Sequence, residues 1–140
     1  MKQILLLMIG LSTSLLADFS RSNGVVTDSK TGLQWQDDYS DNGGDIKYAK
    51  WTDAIAYCED LTLGGHSDWR LPNKKELLSI VDYGKYNPSI DTVFTHTASN
   101  YYWSSTTRAY YTDLAWIVYF HFGSTYYYPK SDDRYVRCVR

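Results

Sequence analysis

The sequence predicts an α+β fold, two helices packed on a twisted antiparallel sheet. Two observations carry this. Apolar residues at helical spacing lie between positions 52 and 83, and from position 101 onward short aromatic and β-branched runs alternate with turn residues. Helices early and a strand meander late fit α+β rather than a βαβ wind. At 140 residues the chain is about one domain long.

Residues 1–17 read MKQILLLMIGLSTSLLA. A positive Lys2, an apolar stretch and the small Ala17 form the pattern of a cleavable secretory leader. The apolar run is shorter than the roughly 20 residues that span a bilayer. The expectation is export with cleavage near Asp18, no stable membrane insertion afterwards, and a single domain over residues 18–140. Periplasm, cell surface and medium all remain open as destinations.

The elements follow in order. Val25-Val26-Thr27 and Leu33-Gln34-Trp35 flank the turn residues Asp28-Ser29-Lys30-Thr31-Gly32, a hairpin signal. Residues 37–45 are polar and glycine-rich and read as a loop. Thr52 is a plausible N-cap for a first helix whose Ala54, Ile55, Cys58 and Leu61 share one face, with Leu63-Gly64-Gly65 as the stop. Asn73, with Glu76 three residues on, opens a second helix; Leu77, Leu78 and Val81 form its apolar face, and Tyr83-Gly84 ends it. Residues 85–100 read as a long loop around Asn87-Pro88. Strands are expected at 101–104, 114–122, 124–128 and 135–139, with Gly123 in a tight turn.

Cys58 and Cys138 are the only cysteines. In an oxidising compartment such a pair is expected to be bonded; the alternative is two buried free thiols. The bond would close a loop of about 80 residues, for which the chain-entropy model gives roughly 4 to 5 kcal/mol.

Composition narrows the function. A net charge of −2 excludes bulk attraction to nucleic acid or an anionic membrane. With 14 Tyr, 5 Trp and 4 Phe the chain is not a disordered type. His66, His96 and His121 share no metal-ligand spacing, and no GxSxG elbow, GxGxxG or P-loop occurs. Asp37, Asp38, Asp41, Asn42 and Asp45 are oxygen-rich but do not fit a calcium-loop spacing, so a solvated loop is expected there. No cofactor, metal or catalytic residue is expected.

The aromatic tracts are the more informative feature. Tyr110-Tyr111 and Tyr126-Tyr127-Tyr128 place rings on consecutive residues, so in strands some face outward. Exposed tyrosines supply stiff, amphipathic contact area. The competing reading is that these rings only cover a thin core.

A set of segments has family character. It comprises Gly32-Leu33-Gln34-Trp35, Trp51, Ala54, Tyr57-Cys58, Leu63-Gly64-Gly65, Asp68-Trp69-Arg70-Leu71-Pro72-Asn73 and Glu76-Leu77. Downstream are Tyr102-Trp103-Ser104-Ser105-Thr106, Ala115-Trp116 and Val136-Arg137-Cys138-Val139-Arg140. Over residues 23–140 this ordered set resembles the Lcl C-terminal domain family, a bacterial domain of unknown function named after a collagen-like adhesin. The resemblance implies a C-type-lectin-like fold related to the formylglycine-generating enzymes. It also implies a disulfide between the first helix and the last strand, which Cys58 and Cys138 match. In DWRLPN it implies core roles for Trp69 and Leu71, a buried polar bond for Arg70 and a cap at Asn73.

The departures matter as well. The calcium-lectin motifs EPN, QPD and WND are absent, with Trp116-Ile117-Val118 in the place of WND. With both cysteines committed to the staple, the oxidase activity of the related enzymes does not carry over. The adhesin's collagen-like repeat is also missing, so trimerisation is not implied.

In C-type-lectin-like folds the long loop and adjoining strands carry recognition, which here means residues 85–131. Within them Arg108, Tyr110, Tyr111 and Asp113 combine a donor fork, two rings and a carboxylate. Tyr126 and Tyr128 lie on one side of a strand and Tyr127 on the other, so one side of the trio is expected to be core. Arg108, Tyr110, Tyr111, Asp113 and Tyr126 are the expected ligand-binding residues. The function expected is an exported, calcium-independent binding or adhesion module for a protein or glycan, with no nucleic acid partner. The alternatives are a hydrolytic envelope enzyme and a structural envelope component.

Overall fold

The computed structural model describes residues 18–140; the expected leader at 1–17 lies outside the described residues. The elements in chain order are strands β1 (Phe19–Ser22), β2 (Val25–Asp28) and β3 (Gln34–Gln36), a 3₁₀ turn (Ser40–Asn42), β4 (Tyr48–Ala49), α1 (Trp51–Asp60), α2 (Lys74–Leu78), β5 (Tyr101–Thr107), β6 (Leu114–Tyr119), β7 (Ser124–Pro129) and β8 (Arg134–Tyr135). Among the described residues no helix is long and apolar enough to cross a membrane.

The α+β expectation holds, with one correction to the sheet. Two sheets form: an antiparallel β1-β2-β3 and a five-stranded β4-β8-β5-β6-β7. The second is mixed, because β8 runs parallel to β5 at Tyr102↔Tyr135. The short connection over residues 130–133 carries the C-terminal segment past β6 and β5 to lie between β4 and β5; the turn residues Ser131-Asp132-Asp133 mark the bend but not this crossing.

Side-chain alternation gives the five-stranded sheet a core on each face. Trp103, Ala115 and Ile117 meet Ala54, Cys58 and Trp69 on the α1 side. Tyr102, Val118 and Phe120 meet Leu77 of α2 together with Val26 and Trp35 of the small sheet on the other. Trp35, Trp69 and Trp103 are each at most 2% exposed, and burial of a large apolar side chain contributes roughly 1.5 to 3 kcal/mol. The indole N–H of Trp103 donates to the Ala49 carbonyl at 2.9 Å, so its burial strands no donor.

The expected Val25–Trp35 hairpin is present, with Val26 opposite Trp35. A strand not expected, β1, precedes it and turns through Asn23 and Gly24 at φ of +51° and +74°. Those angles are the Asn-Gly hairpin turn. The helices match in position but not in every boundary. Lys50, not Thr52, occupies the N-cap of α1, and no side chain caps it. α2 has the expected box: Asn73 Oδ1 accepts from the Glu76 N–H at 2.8 Å, and a Glu76 carboxylate oxygen accepts from the Asn73 N–H at 3.0 Å. It ends at Leu78, however, after five residues. Ile80 beyond it is buried without being helical.

The last expected strand shrinks to Arg134–Tyr135; Val139 continues only as isolated bridges to Trp35 and Arg70. Cys58 of α1 and Cys138 of this terminal segment form a disulfide, with Cα atoms 5.4 Å apart. Trp69 and Leu71 are core, as the resemblance implied. Arg70 is not buried. Its side chain is 47% exposed and forks onto the two Glu76 carboxylate oxygens at 2.6 and 2.7 Å.

Candidate ligand-binding surface

The β5–β6 connection positions the expected site. It is held by backbone bonds from Arg108 N–H to Leu114 O (2.9 Å), Tyr111 N–H to Arg108 O (3.2 Å) and Leu114 N–H to Tyr111 O (2.9 Å). The next turn is tied on through Lys130 N–H to Asp113 O at 2.9 Å. Arg108 therefore projects from a tight, bonded loop. Its guanidinium carbon lies 3.5 Å from the Tyr127 ring centroid and 4.7 Å from that of Tyr111.

The stack continues across the sheet. The β6–β7 register sets Trp116 opposite Tyr127, and their rings meet edge to face at 5.4 Å. Lys74, the first residue of α2, holds its ammonium 3.7 Å from the Trp116 ring. The result is a continuous row of rings and cations: Tyr111, Arg108, Tyr127, Trp116, Lys74. Cation–ring contacts are worth about 0.5 to 1 kcal/mol each at exposed sites, enough to hold the rings and donors in place before any ligand arrives.

The structure brings some expected residues together and separates others. Arg108 and Tyr111 share the row. Tyr110, in the same loop, is 98% exposed with a positive φ of +68°, and Asp113 is exposed beside it. Tyr126 lies on the opposite face of β7 from Tyr127, away from Arg108. The expected division of the tyrosine trio also fails. Tyr126 and Tyr127 are 49% and 42% exposed and Tyr128 is half-buried, so none is core. β7 is an edge strand, and its aromatic side chains overhang the core on both faces.

Lys74, Trp116 and Tyr127 escaped the sequence reading. The signal for two of them was present. Once the turn is placed at residues 120–123, closing Tyr119 on Ser124, counting outward pairs 116 with 127, whereas Lys74 arrives from a helix distant in sequence.

On the other face Tyr128 packs on Tyr101 at 5.2 Å, Tyr101 on Tyr119 at 4.5 Å, and Arg134 stands 4.3 Å over Tyr128. The hydrogen bond with Tyr101 pushes the Tyr128 hydroxyl above the ordinary tyrosine range. Tyr126 borders this second group.

The carboxylates are arranged differently. Asp37 is fully buried and accepts from Arg137 at 3.0 Å, from the Thr95 N–H at 2.8 Å and from Arg21. It is a structural anchor of the 37–45 loop, which corrects, at this residue, the expectation that the loop is solvated. Asp38, Asp68 and Glu76 are held below the usual carboxylate range by hydrogen bonds from Ser40, Arg140 and Arg70 respectively. Among the described residues no group of three acidic, histidine or cysteine side chains is placed to hold a metal ion. A cavity of about 590 Å³ lies over the 85–97 loop between Tyr86, Ile90 and Phe94, with Asp91 as its one carboxylate. The Asp91 carboxylate accepts the Val93 N–H at 2.8 Å.

No curated protein matches the chain. Residues 24–140 match the family model described as the Lcl C-terminal domain, which covers nearly all of the described residues and both halves of the disulfide. The chain belongs to the Lcl C-terminal domain family.

Proposed function

We propose that this is an exported binding module that recognises a protein or glycan through the row formed by Tyr111, Arg108, Tyr127, Trp116 and Lys74, without calcium. The observation that carries the reading is the 3.5 Å stacking of Arg108 on Tyr127. It leaves donors and ring faces presented together on a rigid sheet edge. Aromatic rings offer stacking surface to sugar or peptide, and Arg supplies a fork of donors; both residue types dominate binding hot spots. The native disulfide and the pattern of residues 1–17 support export. A C-type-lectin-like relationship is supported by the staple from first helix to C-terminal segment and by the long loop that precedes β5.

Binding is favoured over hydrolysis by the state of the carboxylates. Those with displaced pKa values are lowered and engaged with separate partners, rather than raised and gathered in a cleft as acid catalysis needs. The test is an array of glycans and extracellular-matrix proteins probed with the oxidised protein, with and without a chelator. Selective binding that survives chelation supports the reading. Binding abolished by chelation, or none to any class, overturns it.

A further inference from the structure

The five-stranded sheet ends on β7, and that edge is open. The β6–β7 register runs without a break from Leu114↔Pro129 to Tyr119↔Ser124. Lys130 N–H bonds Asp113 O, and Phe120 N–H bonds Asn100 O on the β5 side, both at 2.9 Å. Alternation along an antiparallel ladder then turns the backbone of Ser124, Tyr126 and Tyr128 toward β6 and that of Thr125 and Tyr127 outward. Among the described residues, no intramolecular hydrogen bond takes up the outward N–H or C=O of Thr125 or Tyr127.

The other edges are guarded. β3 is covered by the C-terminal segment, through Gln36 N–H to Cys138 O at 3.0 Å and Gln34 N–H to Arg140 O at 2.8 Å. β4 has only two residues. β1 carries Arg21, which is tied to Asp37. β7 has six residues, Ser-Thr-Tyr-Tyr-Tyr-Pro, with no charge and no bulge. Edges of that kind pair with another strand unless something blocks them.

We propose that β7 pairs antiparallel with β7 of a second copy, with Tyr126 opposite the partner's Tyr126 on the two-fold axis. The uncharged strand suits a second copy of itself, and the backbone pattern selects the register. With Tyr126 on the axis, Thr125 faces the partner's Tyr127 and each pair exchanges both bonds, so every outward group of both residues is satisfied. Moving the axis to Tyr127 puts Thr125 opposite the partner's Pro129, which has no N–H to give, and a bond is lost at each end. An uncharged strand also opposes itself without like-charge repulsion. Tyr126 then has a reason to be half-exposed: its ring lies against its twin in a non-hydrogen-bonded pair, the closer of the two antiparallel spacings. The axis is perpendicular to the sheet, so both Arg108–Tyr127 stacks fall on the same side of the joined sheet, an arrangement suited to a multivalent ligand.

Sedimentation equilibrium of the oxidised protein, from low micromolar to near-millimolar concentration, tests this. The wild type is expected to be a reversible dimer. Tyr126→Lys places two ammonium groups face to face on the axis, and Thr125→Pro deletes one outward N–H while sparing the β6 ladder. Both variants are expected to be monomeric, with thermal midpoints like the wild type. A cysteine pair resolves the register: Tyr126→Cys should oxidise to a covalent dimer, whereas Tyr127→Cys should not, because its twin lies two residues further along and beyond disulfide reach. A wild type that stays monomeric throughout, a dimer that survives both substitutions, or cross-linking through Tyr127→Cys instead of Tyr126→Cys overturns the proposal.

Discussion

The Arg137 guanidinium, 1% exposed, lies 3.0 Å from the fully buried Asp37 carboxylate, across 100 residues of sequence. It also donates to the Gln36 and His96 carbonyls, both at 2.6 Å. The C-terminal segment, the β3 loop and the 95–97 stretch are thus pinned at one point.

Arg137→Leu should therefore cost about 3 to 5 kcal/mol, because it leaves a buried carboxylate short of its main partner. Arg21, whose side chain is 30% exposed, also bonds Asp37; its alanine variant should cost much less. Urea denaturation of the two variants measures both. Equal losses would mean that Asp37 is solvated in solution.

Reducing the Cys58–Cys138 bond should lower stability by about 2 to 5 kcal/mol, the usual range for a small secreted domain. Its partners are 80 residues apart and both sulfurs are in the core. Thermal melts of oxidised protein and of the Cys58→Ala, Cys138→Ala double variant give the number. A melting midpoint unchanged by the double variant would show that packing alone holds α1 to the terminal segment.

Stability should fall at both ends of the pH scale, for opposite reasons. Arg70 lowers the folded Glu76 pKa from an ordinary 4.5. Its contribution is complete above that value and is lost as pH drops through the lower folded one. Burial raises Tyr39 and Tyr102 above the ordinary 10.0. Their contribution is complete below 10.0 and fades as pH rises beyond it, since only the unfolded chain ionises readily. Stability against pH checks this: Glu76→Gln should flatten the acid limb and Tyr39→Phe the alkaline one.

Local chemistry was legible in the sequence and long-range pairing was not. Asn73 and Glu76 announce their cap because its parts are three residues apart. The Asp28–Gly32 turn and Gly123 place two hairpins in the same way. Phe19–Ser22 contains a single apolar residue, so β1 left no periodic mark even though Asn23-Gly24 signalled its turn. The parallel seating of β8 on β5 depends on which strands the short connection over residues 130–133 crosses. Asp37 looked like one carboxylate of a solvated cluster because the arginine that buries it lies near the other end of the chain. Alternation separates Tyr126 from Tyr127, yet only the fold shows that Tyr127 is the one facing Arg108. That is why the expected set of Arg108, Tyr110, Tyr111, Asp113 and Tyr126 shares only Arg108 and Tyr111 with the row and lacks Tyr127, Trp116 and Lys74.

The central claim is that the Arg108 row binds ligand and does so without calcium. The most direct measurement compares affinity for the array component bound most strongly by wild type with that of Arg108→Ala, Tyr111→Ala and Tyr126→Ala, each with and without chelator and alongside a thermal melt. Arg108→Ala and Tyr111→Ala should each lose about 2 kcal/mol or more of binding free energy at unchanged melting temperature, as hot-spot truncations do. Tyr126→Ala, on the opposite face, should lose far less when the component is presented in soluble, monovalent form, where dimerisation adds no avidity. Unchanged affinity in Arg108→Ala and Tyr111→Ala, or binding that disappears on chelation, would contradict the account.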